Sequence, residues 1–542
     1  MTYSKLYLGN IPELICEIIQ YFRNDFSTLY SCILVNKLWC RLAIPLLWED
    51  PFSIHVQNFQ FIEIYLCNLN EDDRINEYAN ILADMEIIVN FSNTLFNYPS
   101  FIKRLNTHKV ACFIENWLMD DHLEISTLIY RSLIKMFIEN EGNLHSFEVE
   151  VRTSNDCDYL NDSIMELILQ NPNFTCNIRH LNLILNMDII YDINTNFFLL
   201  LKFLCSNCNS ISSFYIRIIN DCKFEGAKHF EKWLTQLINT QQNLKKISFE
   251  CNDLVLYDSF SSLKNSNISN TLKIITFYRI DFKEIINNIQ EIFNQLNVLE
   301  TIHIIYCYSL NSDFVQQIIN VIRPFKLKSL LLSSKFQVES LQLLIQKFGS
   351  DLENFGFENY YIESIQKLFK SVIKYCSKIK YFSLLEPNYN NVNLVLNLIE
   401  NINQNLNYLD IKFKCHYDHY DDSSIIMSKN LGQILPSKLG FLKLEFFGIK
   451  QSKLLKIFLE NSQNTFIKRL FIKITVQEEV KDILHYIKEY IMKKKTVKYL
   501  AIIINYQDLV YLEDEVKEFE LYNIKVQKYD EYYIRVIDIV NN

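Results

Sequence analysis

The densest gathering of groups able to hold a metal is "CHYDHYDD" at 415–422, where Cys415, His416, Asp418, His419, Asp421 and Asp422 fall within eight residues. His416 and His419 could approach one ion, and a metal-bound water there would point to hydrolysis. A protein metal site, however, needs about four ligands in fixed geometry, and spacing within a single polar loop does not supply that. The segment reads as a solvated loop. "CSNC" at 205–208 is a C-x-x-C pair with no second pair at zinc spacing. Just before a strand, such small apolar thiols suit packing. "MKKK" at 492–495 closes a helix, where positive charge complements the dipole, and "EDDR" at 71–74 reads as a solvated turn. The chain has no G-x-S-x-G elbow, no P-loop and no H-E-x-x-H. Nothing in the order of residues assembles a nucleophile, a base and an orienting group. The expectation is a non-catalytic protein with no metal and no cofactor.

Composition narrows the class further. With 542 residues the chain exceeds one compact core, so several domains or a repeat array are expected. Half of it is hydrophobic and 22% is charged, a globular composition. Only 8 glycines and 8 prolines occur, which largely excludes flexible linkers and glycine-lined phosphate loops. A net charge of -9 argues against a nucleic-acid binder, which needs a basic face. "MTYSKLYLGN" lacks the basic-then-apolar layout of a secretory signal. The longest apolar runs, such as "FFLLLKFLC" at 197–205, are short of the ~20 residues a membrane span requires. Fourteen cysteines without framework spacing fit a reducing compartment. The expected location is cytoplasmic or nuclear, away from membranes.

What positions the side chains is a repeat. The pattern apolar-x-x-apolar-x-apolar recurs thirteen times, from "LHSFEV" at Leu144 to "VKYLAI" at Val497, with starts 25 to 34 residues apart. Between marks the apolar spacing turns helical: in "DFKEIINNIQEIFNQL" (281–296), Ile285, Ile286, Ile289, Phe293 and Leu296 share a helix face. A strand and a helix every 25 to 34 residues resembles a leucine-rich repeat array, in which neighbours must stack to cover each other's apolar faces. The turn residue such repeats favour is present as Asn186, Asn252, Cys307 and Asn505 and missing from nine repeats, so irregular turns are expected. "NIKVQKYDEYYIRVIDIV" reads as extra strand covering the open end.

If the first, fourth and sixth positions of each mark point into the array, the third, fifth and seventh line the concave face of the sheet. That face would carry Tyr381, Tyr408, Phe441, Arg469 and Tyr499 in one row, with Asp410, Lys412, Lys443, Glu445, Phe471 and Lys473 beside it. Aromatics mixed with charges on an open sheet suit a protein partner. Mutual shielding of neighbouring repeats is the competing reading, because strands favour aromatics in any case.

The N-terminus is of a different kind. "NIPELICEIIQYF" begins with Asn10 as a helix cap, with Glu13 three residues on and Pro12 in the first turn. A second apolar run, with Leu34, Val35, Trp39, Leu47 and Trp48, holds two of the chain's four tryptophans. Segments of about forty residues seldom bury enough area to be stable alone. This one must dock on the connector behind it or leave a patch for a partner. "IPELICEII" followed by "LVNKLWCRLAIPLLWEDP" resembles an F-box, over residues 10 to about 52.

F-boxes bind the Skp adaptor of cullin–RING ubiquitin ligases, and a leucine-rich repeat tail that captures substrate is a common companion. The whole chain is therefore similar to F-box/leucine-rich-repeat proteins, especially the large fungal sets. The resemblance implies an α/β chain with a three-helix F-box at 1–52, a helical connector at 53–142 and a solenoid of about 13 irregular repeats with a C-terminal cap at 143–542. In it a curved parallel sheet would lie inside and the helices outside. It implies a substrate-receptor subunit of a Skp–cullin–F-box ligase, itself not an enzyme, with an unknown protein as target. A non-ligase interaction scaffold is the alternative. Ile11, Pro12, Leu14, Ile15, Ile18, Leu34, Val35, Trp39, Leu47 and Trp48 match the motif, some to face the adaptor and others to hold the helices together. Trp117, in the connector, is expected to pack.

Overall fold

The computed structural model describes residues 12–23, 25–53, 60–67, 94–118, 123–189, 195–219, 227–251, 256–332, 337–357, 365–385, 392–414, 422–447, 451–475, 480–492, 496–505 and 507–527. The chain divides into two compact units, Met1–Leu272 and Lys273–Asn542.

The first unit opens with three helices, α1 (Pro12–Tyr21), α2 (Phe26–Ile33) and α3 (Lys37–Leu47), followed by α4 (Gln60–Leu66). Two polar side chains start α2 and α3. The Asp25 carboxylate accepts from the Thr28 backbone N–H at 3.1 Å and its hydroxyl at 2.7 Å. The Asn36 side-chain oxygen accepts from the backbone N–H groups of Leu38 and Trp39 at 2.9 and 3.0 Å. These bonds satisfy N–H groups that the first turn cannot pair internally. Further on come α5 (Thr107–Leu118) and α6 (Leu123–Glu139), and then α7 (Ser154–Asp158) and α8 (Asp162–Gln170).

The strands of this unit are β1 (Arg104–Asn106), β2 (Ser146–Val151), β3 (His180–Asn186), β4 (Ser213–Ile219) and β5 (Lys246–Cys251). Each pairs with the next in parallel. Among the described residues the strand run therefore begins at Arg104, inside the stretch expected to be a helical connector. Register explains why the sequence pattern conceals β1. Leu105 stands opposite Phe147, so Ile102, Leu105 and Thr107 occupy the positions that Leu144, Phe147 and Val149 hold one repeat later. The third apolar position is a threonine. Thr107 is nonetheless buried, because its hydroxyl accepts from the Glu150 N–H at 2.9 Å. A buried hydroxyl with a partner substitutes for an apolar group at modest cost.

The second unit carries β6 (Ile274–Tyr278), β7 (Thr301–Cys307), β8 (Lys326–Leu332), β9 (Asn354–Phe357) and β10 (Tyr381–Leu385). It continues with β11 (Tyr408–Lys414), β12 (Lys438–Phe447), β13 (Phe466–Thr475) and β14 (Val497–Ile504). These too pair in parallel and in chain order. At the end, β15 (Gln507–Asp508) runs antiparallel to β14, and β16 (Lys525–Val526) runs parallel to it. The rest of the expected closing segment, after Gln527, lies outside the described residues. All thirteen marks fall on strands β2 to β14. The fold is thus an α/β repeat with mostly parallel strands.

Parallel, in-register strands place equivalent side chains about 4.8 Å apart, so like residues stack. Phe413 and Phe446 sit face to face with centroids 4.8 Å apart, and Phe355 and Phe382 at 6.3 Å. The helices that follow successive strands pack on one another and close the apolar layer. The helix expected across 281–296 is shorter, a 3-10 turn at Ile286–Asn288 and a helix at Ile289–Gln295, yet Ile285, Ile286, Ile289, Phe293 and Leu296 are all buried as expected. Of the turn residues, Asn186 donates to the Arg152 carbonyl at 3.2 Å and the Cys307 thiol to the Phe277 carbonyl at 3.5 Å. Each bridges one turn to its predecessor. Asn505 adopts a positive φ of 50°, and Asn252 lies outside the described residues.

Candidate functional site

In the N-terminal helices the apolar residues divide into two sets. Ile15, Ile19, Leu29, Cys32, Ala43, Ile44, Leu47 and Trp48 are buried. Trp48 is the keystone: its ring meets Tyr98 at 4.1 Å, Phe61 at 4.8 Å and Tyr65 at 5.0 Å. Of the residues expected to serve adaptor binding, Ile15, Leu47 and Trp48 therefore belong to the interior of the first unit. The aromatic side chains of α4 and of the Tyr98–Phe101 turn claim Trp48. Trp39 is half-buried, and Trp117 is buried, as a packing residue should be. Ile11 lies outside the described residues; Pro12 begins α1.

Four other motif residues stay in water. Leu14 and Ile18 are each 36% exposed, Leu34 76% and Val35 57%. Leu14 and Ile18 are one helical turn apart on α1, with the exposed Tyr21 beyond them. Leu34 and Val35 form the turn between α2 and α3, immediately before the Asn36 cap. Fixing that turn by the cap leaves two large apolar side chains exposed, with no layer among the described residues covering them.

Among the described residues, Glu49 fastens the head to the start of the first strand. The buried Glu49 accepts through its backbone oxygen from the Lys103 and Arg104 N–H groups, both at 3.0 Å. Its carboxylate meets Arg104 at 3.2 Å and Arg23, just after α1, at 3.1 Å. One glutamate thus joins the end of the first helix, the end of the third and the start of β1.

The strand-face row forms as expected in the second unit: Tyr381, Tyr408, Phe441, Arg469 and Tyr499 are direct partners across β10 to β14. Asp410, Lys443, Phe471 and Ala501 form the next row, and Lys412, Glu445 and Lys473 the one after. What differs is accessibility. Tyr381, Phe441, Lys443, Glu445 and Phe471 are buried, whereas Tyr408, Asp410, Arg469 and Tyr499 are half-buried. Phe441, Phe471 and Ala501 make a buried cluster with Tyr408 and Ile503 against it. The ring centroids of Phe441 and Phe471 are 4.9 Å apart, so neighbouring rows shield one another.

Inside that shield lies an ionic network. The Lys443 ammonium is 2.5 Å from Glu445 and 3.5 Å from Asp410, and Lys412 is 3.5 Å from Glu445. Burial pushes the Asp410 carboxyl up from its ordinary range, against the pull of Lys443. Burial acts on Glu445 in the same sense, but Lys443 and Lys412 more than offset it, and its carboxyl ends below the usual value. The arrangement holds charges out of water by mutual pairing.

The sequence's metal candidates gain no support. Residues 415–421 lie outside the described residues. No group of three His, Cys, Asp or Glu able to hold a metal exists among the described residues. Cys205 and Cys208 are buried free thiols that donate to the Trp233 and Thr175 carbonyls. Burial lifts their thiols to about 11 and about 12, inert values near neutrality. No helix among the described residues is long and apolar enough to cross a membrane.

Neither a family model nor a curated protein matches the chain. Among solved structures it is similar to one described as the crystal structure of the Rad7 and Elc1 complex in yeast. That match has 14% identity and a TM-score of 0.36, covering 82% of this chain and 94% of that one. At that score the likeness carries no weight for fold or function.

Proposed function

We propose that this chain is the substrate-receptor subunit of a Skp–cullin–F-box ubiquitin ligase. Its N-terminal helices would form the F-box that grips the Skp adaptor, and its strand–helix repeats a leucine-rich-repeat solenoid that holds a target protein. The observation that carries the reading is the set of large apolar motif residues, Leu14, Ile18, Leu34 and Val35, left in water while their neighbours are buried. Exposed apolar side chains that neighbour one another, as Leu34 does Val35 and Leu14 does Ile18, mark partner sites where single ones do not. The chain performs no bond chemistry in this scheme. It acts by proximity, raising the effective concentration of target lysines near charged ubiquitin.

The test is co-purification of the full chain with a Skp-type adaptor. The intact protein is expected to retain the adaptor, and the double substitution Leu34→Asp with Val35→Asp to lose it. Two further apolar-to-charged changes at exposed positions elsewhere, Ile322→Asp and Leu343→Asp, serve as controls. Absence of binding by the intact chain, or equal loss in the controls, overturns the proposal.

A further inference from the structure

Every strand of the first unit is entered through two residues that follow the first apolar position of its mark. The second of them opens the ladder: Arg104, Ser146, His180, Ser213 and Lys246 stand opposite one another across β1 to β5. The first of them are Lys103, His145, Arg179, Ser212 and Lys245. Backbone bonds of 2.9 to 3.0 Å from Ser146, His180, Ser213 and Lys246 to the carbonyls of Lys103, His145, Arg179 and Ser212 keep the two rows in step. Of these ten residues five are Lys or Arg, two are His, three are Ser and none is acidic. The chain as a whole has 63 acidic and 54 basic residues, so this edge runs against its composition.

The same position in the second unit is filled differently. Across β6 to β10 it reads Lys273, Glu300, Lys328, Glu353 and Lys380, alternating in sign. Lys273 meets Glu300 at 2.6 Å, and Lys328 and Lys380 meet Glu353 at 3.3 and 2.9 Å. That edge neutralises itself.

The edge of the first unit does not. Lys103, Arg179 and Lys245 have no carboxylate within ion-pairing distance among the described residues. Arg104 shares the one carboxylate of Glu49 with Arg23, which leaves positive charge in excess. The acids further along the same strands are engaged. Glu148 accepts from Asn182 at 3.1 Å, Glu150 accepts from Asn106 at 2.9 Å and pairs with Arg152, and Glu250 pairs with Arg217 at 3.0 Å.

The two histidines report the excess. Burial, then Lys103 and Arg179, lower the His145 imidazole, with Arg23 adding to them and Glu49 pulling the other way. Burial, then Arg104, Arg179, His145 and Lys246, lower that of His180. The cations therefore act on one place, and it is open: His145, Arg179, His180 and Lys245 are exposed, Lys103 and Arg104 half-buried.

Spacing says what fits. Lys103, Arg179 and Lys245 belong to alternate strands, hence lie about 9.6 Å apart at the ~4.8 Å separation of neighbours. A polyproline II chain has three residues per turn and rises ~3.1 Å per residue, so every third side chain falls on one face at about 9.3 Å. The two repeats agree. A ligand in β conformation would turn its third residue to the opposite face.

We propose that this edge, through Lys103, Arg179 and Lys245 with Arg104 beside them, binds an extended segment of a partner protein that carries Asp or Glu at every third residue. The segment crosses the strand starts from β1 to β5. Nucleic acid is the less suited polyanion, because its phosphates continue past the stripe, where a chain of net charge -9 repels them. The inference gives the receptor reading a target class without resting on it, since binding here is measured with no adaptor present.

The experiment titrates the full-length protein, in low salt, into a dye-labelled peptide with aspartate at every third residue and reads fluorescence anisotropy. Affinity is expected to be about tenfold above that for the same peptide with asparagine, and about threefold above that for one with its aspartates in a block. Arg179→Ala with Lys245→Ala is expected to remove the tenfold advantage. Lys378→Ala with Lys380→Ala, two exposed cations already paired with Asp351 and Glu353, is expected to keep it. Equal affinity for the asparagine or the block peptide overturns the proposal. So does parent-like binding by the first double variant, an equal loss in the second, or tighter binding of oligothymidylate of the same charge.

Discussion

The N-terminal helices and the β10–β14 strand face handle apolar and charged side chains in opposite ways. Around α1 to α3, large aliphatic residues stand in water although a well-packed interior begins one residue away at Ile15 and Ile19. On the strand face, two charges, Lys443 and Glu445, are taken out of water although the sheet could have left them at its surface. The first arrangement costs solubility and finds no cover among the described residues, the cover that the proposed adaptor would supply. The second keeps to itself, since each charge already has its counterion. An aromatic and charged row, attractive as a recognition surface when read as letters, becomes an internal fastening once its rows shield each other. Exposed aliphatic side chains are the more telling sign of a docking site.

The largest effect that would test this contrast is at Lys443. Lys443→Met leaves the buried Glu445 and half-buried Asp410 with less compensation and is expected to destabilise the second unit by about 3–5 kcal/mol in urea denaturation. A loss under about 1 kcal/mol would mean that the network is wet and the face open after all.

Trp48→Ala is expected to cost about 3 kcal/mol in the first unit, because three rings close on that indole. Near-neutral behaviour would place Trp48 with the docking residues and erase the division drawn within the head.

A smaller effect depends on pH. The Asp156 hydrogen bond raises the folded-state value of His108 to about 10, above its ordinary 6.5. Its contribution is fully present below pH 6.5 and is lost as pH rises through about 10. Thermal unfolding followed from pH 6 to 10 should show the first unit weakening across that window, and less so in His108→Gln. The ring is a quarter exposed, so water screens part of the gain.

The smallest change is expected at the proposed docking turn. Leu34→Asp should alter stability by no more than about 0.5 kcal/mol, since that side chain packs on little. A large loss there would show that the turn serves the fold.

Much of this fold is written in spacing. Each apolar mark from Leu144 to Val497 sits on a strand because a parallel ladder with one buried face requires that alternation. The ladder pairing of Tyr408 with Phe441 followed from the same marks. β1 escaped because Thr107 meets the requirement with a hydroxyl in place of a methyl group, a substitution invisible without its partner Glu150. Burial of the strand face escaped for a related reason: alternation says which side a residue takes, not what stands over that side. Within the head, the candidate residues were legible as a set, while the burial of Trp48 depended on Phe61, Tyr65 and Tyr98, well outside the motif. The meeting of His108 and Asp156 could not be seen at all, because strand pairing, and no local pattern, brings position 156 to position 108.

Glu49 bears on how firmly the N-terminal helices are held to the repeat that follows them. Gripping Arg23, Lys103 and Arg104 at once, it acts as a welded bracket in a place where a swivel would also have joined the parts. Loosening that bracket would let the N-terminal helices turn against the start of β1 while each side kept its own packing.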